Sequence, residues 1–144
     1  MKHELQREIK IIMSLYFISI LLLLPQFFAP HAVFLGLFFI RNSEAAFLVS
    51  LILVAILFLV YFTSRRYKSV YHAAIALYSM IGINSAVNII SAIFFHDDLQ
   101  GFIGTVFGDN GFFPAFLVNQ GVMLLLSLLV ILYLWANKQA FDRK

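Results

Sequence analysis

Four long hydrophobic stretches, separated by short polar segments, dominate the chain. They cover residues 11–29, 45–63, 70–95 and 114–136, and none of them contains Asp, Glu, Lys or Arg. Each has roughly the 20 residues that a helix rising about 1.5 Å per residue needs to cross a hydrocarbon core about 30 Å thick. A lipid-exposed backbone must satisfy its own hydrogen bonds, and the short alternating strands of a β-barrel are missing. The pattern predicts an all-α, polytopic integral membrane protein: one domain, residues 1–144, folded as a four-helix transmembrane bundle.

The composition agrees with this class. Of the 144 residues, 62% are hydrophobic and 12% are charged, whereas a soluble domain is about 45–50% apolar and about 25% charged. Cysteine is absent, which excludes disulfides, thiolate metal sites and thiol chemistry. The formal net charge is +3, but the basic residues lie in three separate clusters. Nucleic acid is therefore not an expected partner.

The basic residues instead predict how the chain lies in the membrane. Only Arg41 falls in a segment that the predicted topology places on the far side from the termini. The others share the near side: Lys2, Arg7, Lys10, Arg65, Arg66, Lys68, Lys138, Arg143 and Lys144. Since Lys and Arg are enriched in cytoplasmic segments, both termini are expected in the cytoplasm and the membrane is expected to be the plasma membrane. The N-terminal stretch lacks a small-x-small cleavage site, so we expect it to stay as the first helix.

The two outward segments, 30–44 and 96–113, resemble each other in sequence. "FLGLFFIRNSEAAFLV" starts at position 34 and "FIGTVFGDNGFFPAFLV" at position 102. With one extra residue in the second copy, the matched pairs are Phe34 and Phe102, Gly36 and Gly104, Phe39 and Phe107, Asn42 and Asn110, and 46–49 with 115–118. A chain rich in Phe and Leu matches itself by chance, but that bias does not explain the Gly and Asn matches. We therefore expect two tandem in–out–in helical hairpins, 11–63 and 70–136.

Each outward segment also contains an apolar stretch that is too short to span a membrane, 32–40 and 99–107. The backbone of such a stretch either folds on itself or lies among the lipid headgroups. Two short interfacial helices over the bundle are the favoured interpretation, and a re-entrant segment is the alternative.

Polar side chains inside the predicted helices form the main candidate site. On the third helix, two asparagines and a serine follow i, i+4, i+7 spacing and therefore share one face. An Asn-Gln pair lies at comparable depth on the fourth helix. The cluster consists of Asn84, Asn88, Ser91, Asn119 and Gln120.

This polar cluster has two interpretations. Amide hydrogen bonds between helices contribute about 0.5–2 kcal/mol each in membranes, and packing of this kind is the favoured one. A path for a polar solute is the other, because polar groups at membrane depth often mark one. No ionisable residue lies deep in any predicted helix, which disfavours proton coupling, voltage sensing and acid–base catalysis there. Gly82 and Ala86, a small-xxx-small pair, lie roughly opposite the polar face, so the third helix is expected to be central.

The outward segments hold the remaining candidate chemistry. His31, His96, Asp97 and Asp98 are weak candidates for a divalent metal site. They lack the i, i+4 His spacing of a helical zinc site, so solvated loop charge is the favoured interpretation. The Thr105–Val106 pair is separated from Gly108 by Phe107, which disfavours a cation-channel filter. The ligand spacing of an EF-hand is also missing.

These observations leave three hypotheses. The favoured one is a small non-enzymatic accessory or assembly subunit of a membrane complex, in contact with lipid and with other membrane protein subunits or copies of itself. The second is a small-solute or ion permease that works as a homo-oligomer, with its path along the intramembrane polar cluster. The weakest is a membrane enzyme with a metal at the outer His and Asp residues. The chain carries none of the common hydrolase or phosphate-binding motifs, and the sequence indicates no cofactor.

Overall fold

The computed structural model describes residues 2–28, 32–36, 38–107 and 112–141. Four long helices and one short helix form most of it, and a two-stranded hairpin joins the first two helices. The elements are α1 (Lys2–Phe28), β1 (Ala32–Leu35), β2 (Phe38–Arg41), α2 (Asn42–Thr63), α3 (Lys68–Phe94), α4 (His96–Phe107), α5 (Phe112–Ala136) and a final 3-10 turn (Lys138–Ala140).

Three helices of the described part are long and apolar enough to cross a membrane: Ser43–Thr63, Lys68–Phe94 and Phe113–Ala136. Their outer surfaces carry large side chains that a water-soluble fold would bury, such as Met80 (70% exposed) and Trp135 (71% exposed). These three helices correspond to the predicted stretches 45–63, 70–95 and 114–136.

The four long helices contact one another around a common interior. Helix α3 packs along α5 over much of its length, α1 packs against α2 and α5, and α2 meets α3 over a shorter stretch. Gly82 allows α3 and α5 to approach closely, because a Cβ atom at Gly82 would lie 3.2 Å from Cβ of Ser127. Helix α3 also contacts α4 and β1.

We expect Gly82→Leu to lower the free energy of unfolding by about 1–3 kcal/mol, because the added side chain must separate α3 from α5. Gly121→Leu is the matched control, since a Cβ atom at Gly121 would meet nothing within 4 Å. Titration with a denaturing detergent, followed by circular dichroism, compares the two variants. Equal stability of both variants would contradict the close approach at Gly82.

One end of the molecule collects most basic residues of the described chain; Arg41, in β2, is the exception. The hydroxyl of Tyr133, near the end of α5, donates a hydrogen bond to Oε2 of Glu8, near the start of α1. The ring of Tyr71, in the first turn of α3, lies 5.8 Å from the ring of Phe141. The start of α1, the α2–α3 turn and the end of α5 therefore lie together. We call this the basic end; its basic residues are Arg7, Lys10, Arg65, Arg66, Lys68 and Lys138.

The interior next to the basic end is filled by a hydrophobic core. Tyr16 of α1 and Tyr78 of α3 stack with ring centroids 5.6 Å apart. The Tyr78 hydroxyl donates a hydrogen bond of 2.7 Å to Oγ of Ser19. Apolar side chains of all four long helices complete this core, among them Ile12, Ile56, Ala74, Leu126, Val130 and Leu134.

The prediction of a short helix at 32–40 is wrong, because β1 and β2 pair there as an antiparallel hairpin. Its register runs from Ala32↔Arg41 to Leu35↔Phe38. Gly36 has φ +67, a value that tight hairpin turns require and that glycine adopts without strain. The other short stretch, 99–107, is helical and lies within α4.

The outward segments that match in sequence therefore differ in structure. Phe34 lies in β1 and Gly36 in the turn that follows it, whereas Phe102 and Gly104 lie within helix α4. The expected repeat does not extend to the fold of these segments. The same residue types serve a turn in one and a helix in the other because their surroundings differ.

Candidate functional site

Asn88 of α3 binds the tip of the β-hairpin. It is 1% exposed. The backbone N–H of Gly36 donates to its Oδ1 at 2.6 Å, and its Nδ2 donates to the carbonyl oxygen of Phe34 at 3.0 Å. The same Nδ2 donates to Oε1 of Gln120 at 3.1 Å, which links the hairpin to α5. A carboxamide suits this position because it supplies a donor and an acceptor without charge.

The tip of the β-hairpin contacts α3 about two turns before the end of that helix. Asn88 precedes the last residue of that helix, Phe94, by six positions, or roughly 9 Å at about 1.5 Å per residue. Non-helical backbone at membrane depth is tolerated where protein buries it and satisfies its hydrogen bonds. The Asn88 carboxamide meets this requirement for the two hairpin groups nearest the turn. The re-entrant alternative for residues 32–40 stays a prediction.

Helix α4 covers the hairpin with its apolar face. Phe34 of β1 is 4% exposed, and it packs with Leu99 and Ile103 of α4, both fully buried. The Phe34 ring also meets the ring of Phe116 edge-to-face, with centroids 5.2 Å apart. Gly36 lies directly against α3, since a Cβ atom there would be 2.9 Å from Oγ of Ser91. The hairpin therefore packs against α2 and α3, and its Phe34 side chain extends to α4 and α5.

A cavity of about 190 Å³ lies next to the hairpin, between the four long helices. Val33 and Phe34 of β1 form part of its wall, and Met123 separates it from the hydrophobic core at the basic end. Its polar lining residues are Asn84, Ser85, Asn88, Asn119 and Gln120. No charged side chain of the described residues lines this cavity.

Two of these amides have no hydrogen-bond partner among the described residues. Asn84 and Asn119 are both partly exposed and both line the cavity. An amide kept from water without a partner costs about 1–3 kcal/mol on protein mutational scales. One water needs only about 10–15 Å³ of cavity volume, so this cavity can hold several waters or a small solute. The cavity is thus a polar, uncharged site with free donors and acceptors.

The structure brings four of the five predicted polar residues to one cavity: Asn84, Asn88, Asn119 and Gln120. Ser91 is placed differently. It is buried against Gly36 beside the hairpin turn and does not line the cavity. Sequence reasoning missed the contribution of β1. The glycine between two short runs of aliphatic and aromatic residues was the available signal for a hairpin.

Three of the four candidate metal ligands, His96, Asp97 and Asp98, do not line this cavity. His96 stacks on the ring of Phe113 with centroids 4.8 Å apart. Asp97 and Asp98 are exposed in the first turn of α4, where a helix N-terminus favours negative charge. Within the described ranges no group of three or more His, Asp or Glu side chains gathers, and His31 lies outside them. Thr105 belongs to α4, with its hydroxyl bonded to the Gly101 carbonyl oxygen at 2.7 Å.

No family model, no curated protein and no solved structure matches this chain. The function is therefore inferred from the geometry of the site.

Proposed function

We propose that this chain is an integral membrane protein with four spanning helices, and that its central cavity binds a small uncharged polar solute on its way across the membrane. This is the permease hypothesis, narrowed to uncharged solutes. The observation that carries it is a pair of amides, Asn84 and Asn119, that have no hydrogen-bond partner among the described residues and line a cavity of about 190 Å³. Working as a homo-oligomer is part of the proposal.

The proposed fourth span is the apolar part of α1. Residues 11–28 contain no charged side chain, and α1 packs along α2 and α5. Its lipid-facing side chains, such as Phe17 (58% exposed), resemble those of the other spans. With α1 included, the helices form a four-helix bundle. The positive-inside tendency puts the basic end in the cytoplasm of a cell bounded by the plasma membrane.

The chemistry of the lining supports an uncharged solute. Amides offer donors and acceptors together, so they match hydroxyl, amide and urea groups equally well. An ion would enter a site without any opposite charge, and burial of an unpaired ion is far more costly than burial of a neutral polar group.

The hairpin and α4 cover the end of the bundle opposite the basic end. In the proposed cycle, the solute enters when the hairpin leaves Asn88. While the hairpin is away from Asn88, the hydrophobic core around Tyr16 and Tyr78 closes the cavity towards the basic end.

Solute uptake by reconstituted liposomes tests the proposal. We expect glycerol and urea to enter liposomes that contain the protein faster than they enter empty ones, measured by stopped-flow light scattering. The double variant Asn84→Ala/Asn119→Ala should slow the protein-dependent part of solute uptake about tenfold. Loss of about 1.4 kcal/mol of interaction with the solute changes a rate by that factor.

Ser50→Ala is the matched control. The Ser50 hydroxyl donates to the Ala46 carbonyl oxygen of its own helix at 2.7 Å, and Ser50 does not line the cavity. Uptake should be unchanged in this variant. The proposal would be contradicted if liposomes that contain the wild-type protein were no more permeable to glycerol and urea than empty liposomes. The accessory-subunit and metal-enzyme hypotheses stay predictions, and a membrane partner retained in mild detergent would favour the first of them.

A further inference from the structure

A groove between α2 and α3 opens at the basic end. Its volume is about 450 Å³, and it lies beside the turn that joins the two helices. Its lining is mainly apolar and includes Phe58 and Phe62 of α2 and Ala73 of α3; Tyr67 and Ser69 lie at the α2–α3 turn. Both helices are long and apolar enough to cross a membrane, so in the membrane-inserted protein proposed above a lipid meets this groove.

Three cations flank the same groove. Arg65, Arg66 and Lys68 belong to the turn that joins α2 to α3. No ion pair links them to a carboxylate of the described residues, and the sequence contains no Asp or Glu between Ala45 and His96. Within the described part of the chain, positive charge is therefore left uncompensated beside an apolar groove.

The turn holds these cations in a defined place. The backbone N–H of Arg65 donates to the Phe62 carbonyl oxygen at 2.9 Å, and that of Arg66 donates to the Thr63 carbonyl oxygen at 3.0 Å. The Arg65 guanidinium lies over the Tyr61 ring at 5.8 Å from its centroid. The rings of Phe58 and Phe62 stack at 6.1 Å along the groove. The Tyr61 ring in turn meets the Phe62 ring with centroids 5.0 Å apart, which connects the Arg65 charge to the aromatic wall of the groove.

We propose that this groove binds one anionic phospholipid, with an acyl chain along Phe58, Phe62 and Ala73 and its phosphate at Arg65, Arg66 and Lys68. Arginine and lysine beside a membrane-spanning helix attract acidic headgroups. The apolar groove adds burial of hydrocarbon, which a free phosphate does not offer. The inference rests on the membrane insertion proposed above, but not on solute transport.

Native mass spectrometry of the purified full chain tests this site, with dioleoyl phosphatidylglycerol and dioleoyl phosphatidylcholine as probes. The two lipids share their acyl chains and differ in net charge. We expect one phosphatidylglycerol to be retained per chain, and phosphatidylcholine to be lost at the same activation energy. Free glycerol phosphate should not bind at the same concentration. Equal retention of both lipids, or equal binding of glycerol phosphate, would overturn the proposal.

Two variants separate charge from groove. Arg65→Gln/Arg66→Asn/Lys68→Gln should weaken phosphatidylglycerol binding about a hundredfold, given the typical attraction of each cation near a charged membrane surface. Asparagine is chosen at position 66 because Arg66 has φ 62, which asparagine tolerates. Ala73→Phe should abolish binding by filling the groove while the charges remain.

The matched control is Arg7→Gln/Lys10→Gln/Lys138→Gln, which removes the same charge from the basic end outside the groove. It should retain the lipid, and an equal loss in both triple variants would contradict a specific site. Retention of the protein in carbonate-washed membranes is measured in parallel. Release from those membranes would contradict membrane insertion, whereas retention without lipid selectivity would contradict only the groove.

Discussion

Asn88→Leu is expected to lower the free energy of unfolding by about 2–5 kcal/mol. The change removes three hydrogen bonds, to Gly36, Phe34 and Gln120, and leaves a backbone N–H and a backbone C=O of the hairpin buried without a partner. Each buried group left unsatisfied costs about 1–3 kcal/mol. Leucine has nearly the shape of asparagine, so the loss reports on hydrogen bonding and not on a void. Unfolding in mixed micelles, followed by circular dichroism, measures it.

Asn119→Leu is the matched control for this prediction. It makes the same substitution on the same cavity, but the Asn119 side chain has no hydrogen-bond partner in the described part of the chain. Stability should therefore change by less than about 0.5 kcal/mol, while solute uptake should fall. If Asn88→Leu were as stable as Asn119→Leu, the hairpin would not depend on Asn88.

Gly36→Ala is the second change with a large expected effect, a loss of about 2–4 kcal/mol. A side chain at φ +67 costs about 1–2 kcal/mol by itself. The new Cβ atom would also lie 2.9 Å from Oγ of Ser91 and 3.3 Å from Cγ1 of Val87. The same detergent titration measures this loss, and adding Ser91→Gly should recover the part that comes from the Ser91 hydroxyl.

Gly101→Ala provides the comparison for Gly36→Ala. Gly101 is exposed in α4, and a Cβ atom there would meet nothing within 4 Å. Since alanine favours a helix over glycine by about 1 kcal/mol, this variant should be as stable as the wild type or slightly more stable. A Gly36→Ala variant that behaved like Gly101→Ala would mean that the turn does not lie against α3.

The positions of the long helices were predictable because a bilayer imposes a simple requirement on sequence. A helix that crosses it needs about 20 residues without charge, and the charged residues interrupt this chain at regular distances. The polar cluster was predictable for a related reason. Helical periodicity puts Asn84 and Asn88 on one face, and the structure brings both to the same cavity with Asn119 and Gln120.

Gly36 between two apolar runs was only a local signal for a hairpin, because the contacts that stabilise the hairpin come from far away in the sequence. Gly36 and Asn88 are 52 positions apart, and Phe34 and Asn88 are 54 apart. Sequence similarity was misleading here, because Gly36 matches Gly104 although the first supports a turn and the second lies within α4. Without knowledge of which side chain faces the segment, an interfacial helix and a buried hairpin are equally consistent with its apolar residues.

The central claim is that the hairpin tip lies between the helices, against α3. The chain contains no cysteine, so the double variant Gly36→Cys/Ser91→Cys gives a direct measurement. A Cβ atom at Gly36 would lie 4.0 Å from Cβ of Ser91, within the range of about 3.5–4.5 Å that disulfides span.

We expect mild oxidation in the membrane to form an intramolecular disulfide, seen as protection of both thiols from a maleimide reagent. The control pair Gly36→Cys/Ile90→Cys, with position 90 on the exposed face of α3, should stay reduced. Free thiols in the first pair, in a variant whose circular dichroism matches that of the wild type, or equal oxidation of both pairs, would contradict the account.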